Sequence, residues 1–138
     1  MALGGIPYAW SGYAFEAVCR KHIDQILHAL DIQASSTIGT WKFTTSKKVT
    51  QNGCQVDLII DRSDDAINIC EIKYTDKPFV IDKQYAEKLR YTMELFRKQT
   101  STEKQLFLTF ISSSGLKQTM YSKELVANTV LLNDLFTK

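Results

Sequence analysis

Glu71-Ile72-Lys73 sets a carboxylate and an ammonium two residues apart, inside a run (67–74) rich in isoleucine. Successive strand side chains alternate faces, so Glu71 and Lys73 share one side and Ile72 takes the other. Asp57 lies in an earlier β-rich run, 54–61, and the segment between, 62–66, carries the turn-forming Ser63-Asp64-Asp65. If the two runs pair as a hairpin, Asp57 becomes a neighbour of Glu71. Two carboxylates offer oxygen ligands to a hard divalent cation, Mg²⁺ or Mn²⁺. Phosphodiester hydrolysis needs these residue types. The cation lowers the pKa of a water and offsets charge developing on the phosphate, and a lysine beside it orients that water. Glu-x-Lys on a strand is also a common exposed ion pair. Ile67, Ile69 and Ile72 argue instead for a covered, central strand.

The elements that would position these residues follow from periodicity. Residues 1–10, with Gly4-Gly5 and Pro7, read as a lead-in segment, and 11–138 as one domain. Ser11 suits the N-cap of a single helix running to about 31, with Phe15, Val18, Cys19, Ile23, Ile26, Leu27 and Leu30 as its apolar face. Glu16 lies beside that face, where a carboxylate needs a partner or a cation. Strands are expected at 36–46, 54–61, 67–74, 106–112 and 125–131, and a second long helix at 82–99, capped by Asp82 and buried along Tyr85, Leu89, Met93 and Phe96. A last helical turn is expected around Leu135 and Phe136. The order α-β-β-β-α-β-β-α implies an α/β fold, a mixed sheet flanked by helices rather than a doubly wound one.

Composition narrows the classes. With 138 residues, 44% hydrophobic and 23% charged, the chain suits one folded domain and not a disordered segment. The net charge of +2 does not announce nucleic acid, so any basic surface must be local. Lys83, Lys88, Arg90, Arg97 and Lys98 put such charge on the second long helix, whose usual reading is a solvated face. The three cysteines, Cys19, Cys54 and Cys70, lack Cys-x-x-Cys spacing, which argues against a disulfide framework or a zinc site and for a cytoplasmic protein. No apolar run reaches the length of a membrane span. His22 and His28 have the spacing of neither a shared metal nor a nucleophile–base pair. Asp61, Asp64 and Asp65 read as a solvated turn rather than a second cation site.

Val56-Asp57, followed after a hairpin by Glu71-Ile72-Lys73, resembles the signature of the PD-(D/E)xK nuclease superfamily. The resemblance implies a restriction-endonuclease-like αβββαβ core and bound Mg²⁺ or Mn²⁺. It makes Asp57 and Glu71 metal ligands, Lys73 the water-orienting lysine, and Glu16 the acid that some members supply from the first helix. It also suggests a site contact from Gln84. Val56 replaces the signature's proline. A closer resemblance, from Trp10 onward, is carried by Gly12-Tyr13-Ala14-Phe15-Glu16, Gly53 to Arg62, Cys70 to Lys73 and Leu135-Phe136. These stretches look like the C-terminal nuclease-like region of archaeal and bacterial AAA+-type ATPases of the DUF234 group. The P-loop motif G-x-x-x-x-G-K-[ST] of the ATPase part is missing, while 3–8 resembles a stretch within that part, so the chain reads as an excised domain or truncated gene. The partners implied are DNA and an AAA+ ATPase domain or protein, with no membrane; a homodimer is allowed. The expected function is metal-dependent hydrolysis of DNA. The alternative is a non-catalytic module with a nuclease fold that binds nucleic acid or protein.

Overall fold

The computed structural model describes residues 8–44 and 53–136, with side chains from residue 12 onward. The element order is α1 (Tyr8–Lys21), α2 (Ile23–Ala29), β1 (Ser36–Phe43), β2 (Cys54–Arg62), β3 (Ala66–Lys73), α3 (Lys83–Thr100), β4 (Gln105–Ser112), α4 (Met120–Leu125) and β5 (Val126–Leu131), closed by a 3₁₀ turn, Leu132–Phe136. The strands form one five-stranded sheet in the order β1-β2-β3-β4-β5. β1–β2 and β2–β3 are antiparallel, and β3–β4 and β4–β5 are parallel. The sheet is therefore mixed, flanked by helices, and α3 makes the crossover between β3 and β4.

Each face of the sheet carries its own core. Leu58, Ile60, Cys70, Ile72, Ile111 and Val130 meet Phe15, Cys19 and Ile26 of the first two helices on one side. Val56, Ile59, Ile67, Ile69, Leu108 and Phe110 meet Ala86, Leu89 and Phe96 of α3 on the other. Strand alternation explains the division in β3, where Ile67 and Ile69 take one face and Cys70 and Ile72 the other. β2 departs from it. Gly39 pairs with Ile59 but Trp41 pairs with Val56, so two steps along β1 span three along β2. This bulge around Asp57 and Leu58 turns Val56 to the same face as Ile59.

The first helix is interrupted rather than continuous. His22 leaves helical geometry (φ −113°, ψ 36°), and its amide is shared between the carbonyls of Val18 and Cys19, each at 3.1 Å. Helix α1 is already formed at Tyr8, so Ser11 is internal and not an N-cap. Residues 1–7 of the expected lead-in lie outside the described residues, as do 45 and 46 of the expected first strand. Helix α3 follows its expected bounds, with the Asp82 carboxylate accepting from the Tyr85 amide at 2.8 Å. Its most buried stripe is Ala86, Leu89, Thr92, Leu95 and Phe96, while Tyr85 and Met93 sit at its margin. Helix α4 was not expected. A reciprocal cap between Thr119 and Ser122 starts it, the serine hydroxyl taking the role a glutamate usually plays. None of the helices is long and apolar enough to cross a membrane among the described residues.

Candidate functional site

The β2–β3 ladder stops at the pair Leu58–Cys70. The next pair would be Asp57 and Glu71. Instead, Asp57 Oδ2 accepts a hydrogen bond from the Ile72 amide at 3.0 Å, a side chain taking the place of a strand neighbour. The bulge in β2 makes room for this. On its other edge β3 stays paired with β4 as far as Lys73–Ser112, and the Ser113 amide then bonds the Lys73 carbonyl at 3.1 Å. Beyond it, the Ser113 hydroxyl accepts from the Thr75 amide at 2.8 Å and donates to the Thr75 carbonyl at 2.9 Å. One side of β3 is thus fixed while the other opens, and Asp57 and Glu71 meet at the opening.

Charge at this point is unbalanced. Burial and the negative charge of Asp57 push the Glu71 carboxyl up to about 7, against the opposing pull of Lys73 and Lys88. A hydrogen bond between the two carboxyls also favours a proton on Glu71. Glu16 is raised as well, first by burial and then by Asp57, with Arg20 and Lys73 opposing. It reaches the cluster from the opposite side of the sheet: its neighbour Phe15 packs against Tyr74 just past β3, with ring centroids 5.6 Å apart. Among the described residues no three His, Cys, Asp or Glu side chains converge to hold a metal ion. Glu16 therefore stays within electrostatic range without completing a three-acid cluster.

Lys73 projects toward α3. Its ammonium lies 5.3 Å from the Phe79 ring centroid and 5.1 Å from that of Tyr85. The two rings are themselves 5.1 Å apart, edge to face. Cation–π attraction to two rings fixes the ammonium beside the acids, and among the described residues it forms no ion pair. The Tyr85 hydroxyl oxygen is buried and lacks a hydrogen-bond partner among the described residues. Burial, with the charges of Glu71 and Asp57, holds that hydroxyl above its ordinary range, so it keeps its proton. Lys88 lies over the same ring at 5.6 Å. Burial raises the Cys54 thiol, and a hydrogen bond with Thr92 opposes this.

The remaining candidates lie elsewhere or are engaged. Gln84 is exposed. Arg90 pairs with Glu124 at 3.1 Å, and Arg97 donates to the carbonyls of Thr102 and Lys104 behind the end of α3. Two of the five basic side chains on that helix are thus committed to structure. Trp41 packs edge-on against Phe96 at 5.2 Å, while the side chain of Trp10 lies outside those described. Cys19 and Cys70 are fully buried, and all three cysteines are free. Burial pushes the Cys19 thiol up to about 12, as expected for an inert core residue. Sequence reasoning missed Phe79 and the hydroxyl of Tyr85. The available signal was chemical: a tyrosine on a buried stripe brings an O–H that needs an acceptor. No family model, curated protein or solved structure matches the chain.

Proposed function

We propose that this domain hydrolyses DNA phosphodiester bonds with the help of Mg²⁺ or Mn²⁺, on a restriction-endonuclease-like core of the PD-(D/E)xK type. The observation that carries the reading is the pairing of Asp57 and Glu71 at the opening of the hairpin, with Lys73 beside them and, among the described residues, no ion pair to either acid. Two carboxyls in hydrogen-bond contact, one raised to about 7, make an arrangement that a divalent cation relieves. The donor set, carboxylate oxygens without thiol or imidazole, suits a hard cation. Asp57 and Glu71 would hold it, and Glu16, within range of Asp57, would add charge from the first helix. A cation bound there supplies positive charge against the phosphate and a water of lowered pKa. Lys73, steadied by Phe79 and Tyr85, would orient a water beside the acids and offset charge on a phosphate there.

A second reading has its own support. Among the described residues no three acids converge, and the net charge is +2. Both features favour a module that uses a nuclease fold to bind nucleic acid or a protein, such as an AAA+ ATPase, without cutting. The deciding experiment is cleavage of plasmid and linear DNA by purified protein in Mg²⁺, Mn²⁺ or EDTA, with Lys73→Ala alongside. Cation-dependent cleavage that Lys73→Ala abolishes supports the enzyme. Cleavage that survives EDTA or Lys73→Ala removes the mechanism. Addition of an ATPase partner extends the same assay: activity is expected to be weak alone and to rise in the assembly.

A further inference from the structure

We infer that the outer edge of β1 is a docking site for an extended peptide of another protein, one that presents an acidic and an apolar side chain on the same face. The inference is independent of the hydrolysis reading. The sheet has two edges, β1 and β5, and the chain treats them differently. On β5 the register slips between Val126 and Asn128, and the Asp134 carboxylate accepts from the Leu131 amide at 2.9 Å. A bulge and an occupied amide both blunt an edge. β1 runs eight residues, Ser36–Phe43, with Thr37, Ile38, Gly39 and Thr40 all exposed. Among the described residues no strand pairs with its outer side. Its one charged residue, Lys42, lies near the end, and it has no proline.

Beside this edge lies a cavity of about 380 Å³, lined by Arg20, Ile23, Ile38, Gly39, Thr40 and Leu58. Leu58 and Ile23 belong to the core under the first two helices, which puts the cavity on that face of the sheet. A strand added to β1 sends every second side chain to this face, next to Ile38 and Thr40. Arg20 is exposed, and among the described residues it forms no ion pair. Its charge reaches Glu16, one turn earlier on α1, without pairing with it. The cavity therefore suits an apolar side chain, and the guanidinium suits a carboxylate. Strand addition works in this way, with main-chain bonds giving affinity and alternate side chains giving selectivity. Charge argues against a second copy as the occupant. Its β1 has no carboxylate and brings Lys42 to the face that already carries Arg20. Nucleic acid has no amide backbone with which to continue the ladder.

The test selects random linear peptides, displayed on phage, against the whole chain. The enriched peptide, carrying fluorescein, is titrated by anisotropy into wild type, Arg20→Glu and Ile38→Lys, and amide hydrogen exchange is read with and without it. The enriched sequences are expected to share an acidic and a large apolar residue an even number of positions apart. Exchange should slow in 36–43 and stay unchanged in 126–131. Arg20→Glu should weaken binding by about 10- to 100-fold, as loss of a charge-assisted hydrogen bond does. A peptide with lysine in place of its acid should recover binding to Arg20→Glu. Ile38→Lys should also weaken binding, by placing a charge on the edge; if that variant does not fold, Arg20→Glu and the charge swap decide. Enriched sequences without an acid, or no enrichment at all, overturn the inference. Binding that Arg20→Glu leaves unchanged, or exchange that slows away from β1, does the same. Two further results give the edge to another occupant and overturn it as well: a dimer in light scattering that Ile38→Lys dissociates, and β1 exchange slowed by a DNA duplex in place of the peptide.

Discussion

The β2–β3 hairpin carries acids at both ends and treats them in opposite ways. At the turn, Asp61 accepts from the Lys104 ammonium at 2.7 Å, and the same ammonium bonds the Arg62 carbonyl at 2.7 Å. Arg62 holds Asp64 through two bonds, at 2.9 and 2.7 Å, and Asn68 through a third at 3.1 Å. These contacts keep the Asp64 carboxyl below its ordinary range, the hydrogen bonds from Arg62 leading. At the open end the acids face each other, and Glu71 rises to about 7 through burial and the charge of Asp57. Acidic residues alone therefore mark nothing. What distinguishes the open end is charge left uncompensated in a partly buried place, the condition under which a group is poised for chemistry rather than for support.

The largest effect expected from breaking this contrast is on chemistry. Lys73→Ala should lower cleavage by about 100-fold or more, as removal of a charge stabiliser does, yet leave cation binding in place because an ammonium is not a ligand. A gel assay of DNA cleavage and a cation titration of the same variant check the two halves. Loss of both together would mean that Lys73 supports the fold of the site rather than its chemistry.

Stability against pH comes next. Glu71 has an ordinary value of 4.5 and about 7 in the folded protein, so between these values the folded state keeps a proton that the unfolded chain has lost. Folding is then favoured at the acid end, and this contribution declines as pH rises from 4.5 toward 7. Glu71→Gln should flatten this part of the profile and be the more stable protein at pH 8. Urea unfolding at pH 5 and pH 8 measures it; a wild type that gains stability across the window contradicts the assignment.

The turn end should answer weakly. Lys104→Met removes an ion pair whose partners are 32% and 47% exposed, and exposed pairs contribute about 0.2–1 kcal/mol. The expected loss in urea stability lies in that range, with cleavage unchanged. A drop in cleavage comparable to that of Lys73→Ala would erase the distinction between the two ends.

How much of this was legible varies with the kind of constraint. Alternation in β3 was readable because isoleucines mark both faces, and it placed Glu71 and Lys73 on the side of α3. The existence of the hairpin followed from Ser63-Asp64-Asp65; Asp65 takes φ +64°, as a turn aspartate can. The bulge that frees Asp57 was not readable, since it shows only in the register between Gly39–Trp41 and Ile59–Val56, set by pairing across two strands. The break at His22 escaped because the apolar spacing runs straight through it. Helix α4 has six residues, and Ser122 holds the capping position where a glutamate is usually sought. Tyr85 was counted as core by its ring, and only the packing of α3 shows where its hydroxyl ends.

The central claim, that the open end of the hairpin is a cation site and the turn end is not, is tested most directly by calorimetric titration of Mn²⁺ into wild type, Asp57→Asn and Asp61→Asn at pH 6.5 in buffers of different ionisation heat. Near that pH Glu71 is expected to hold part of a proton, and binding should release it. The expected result is one Mn²⁺ bound to wild type and to Asp61→Asn with proton release, and none bound to Asp57→Asn. Binding that survives in Asp57→Asn, or a wild type that takes up no Mn²⁺ even with DNA present, contradicts the account.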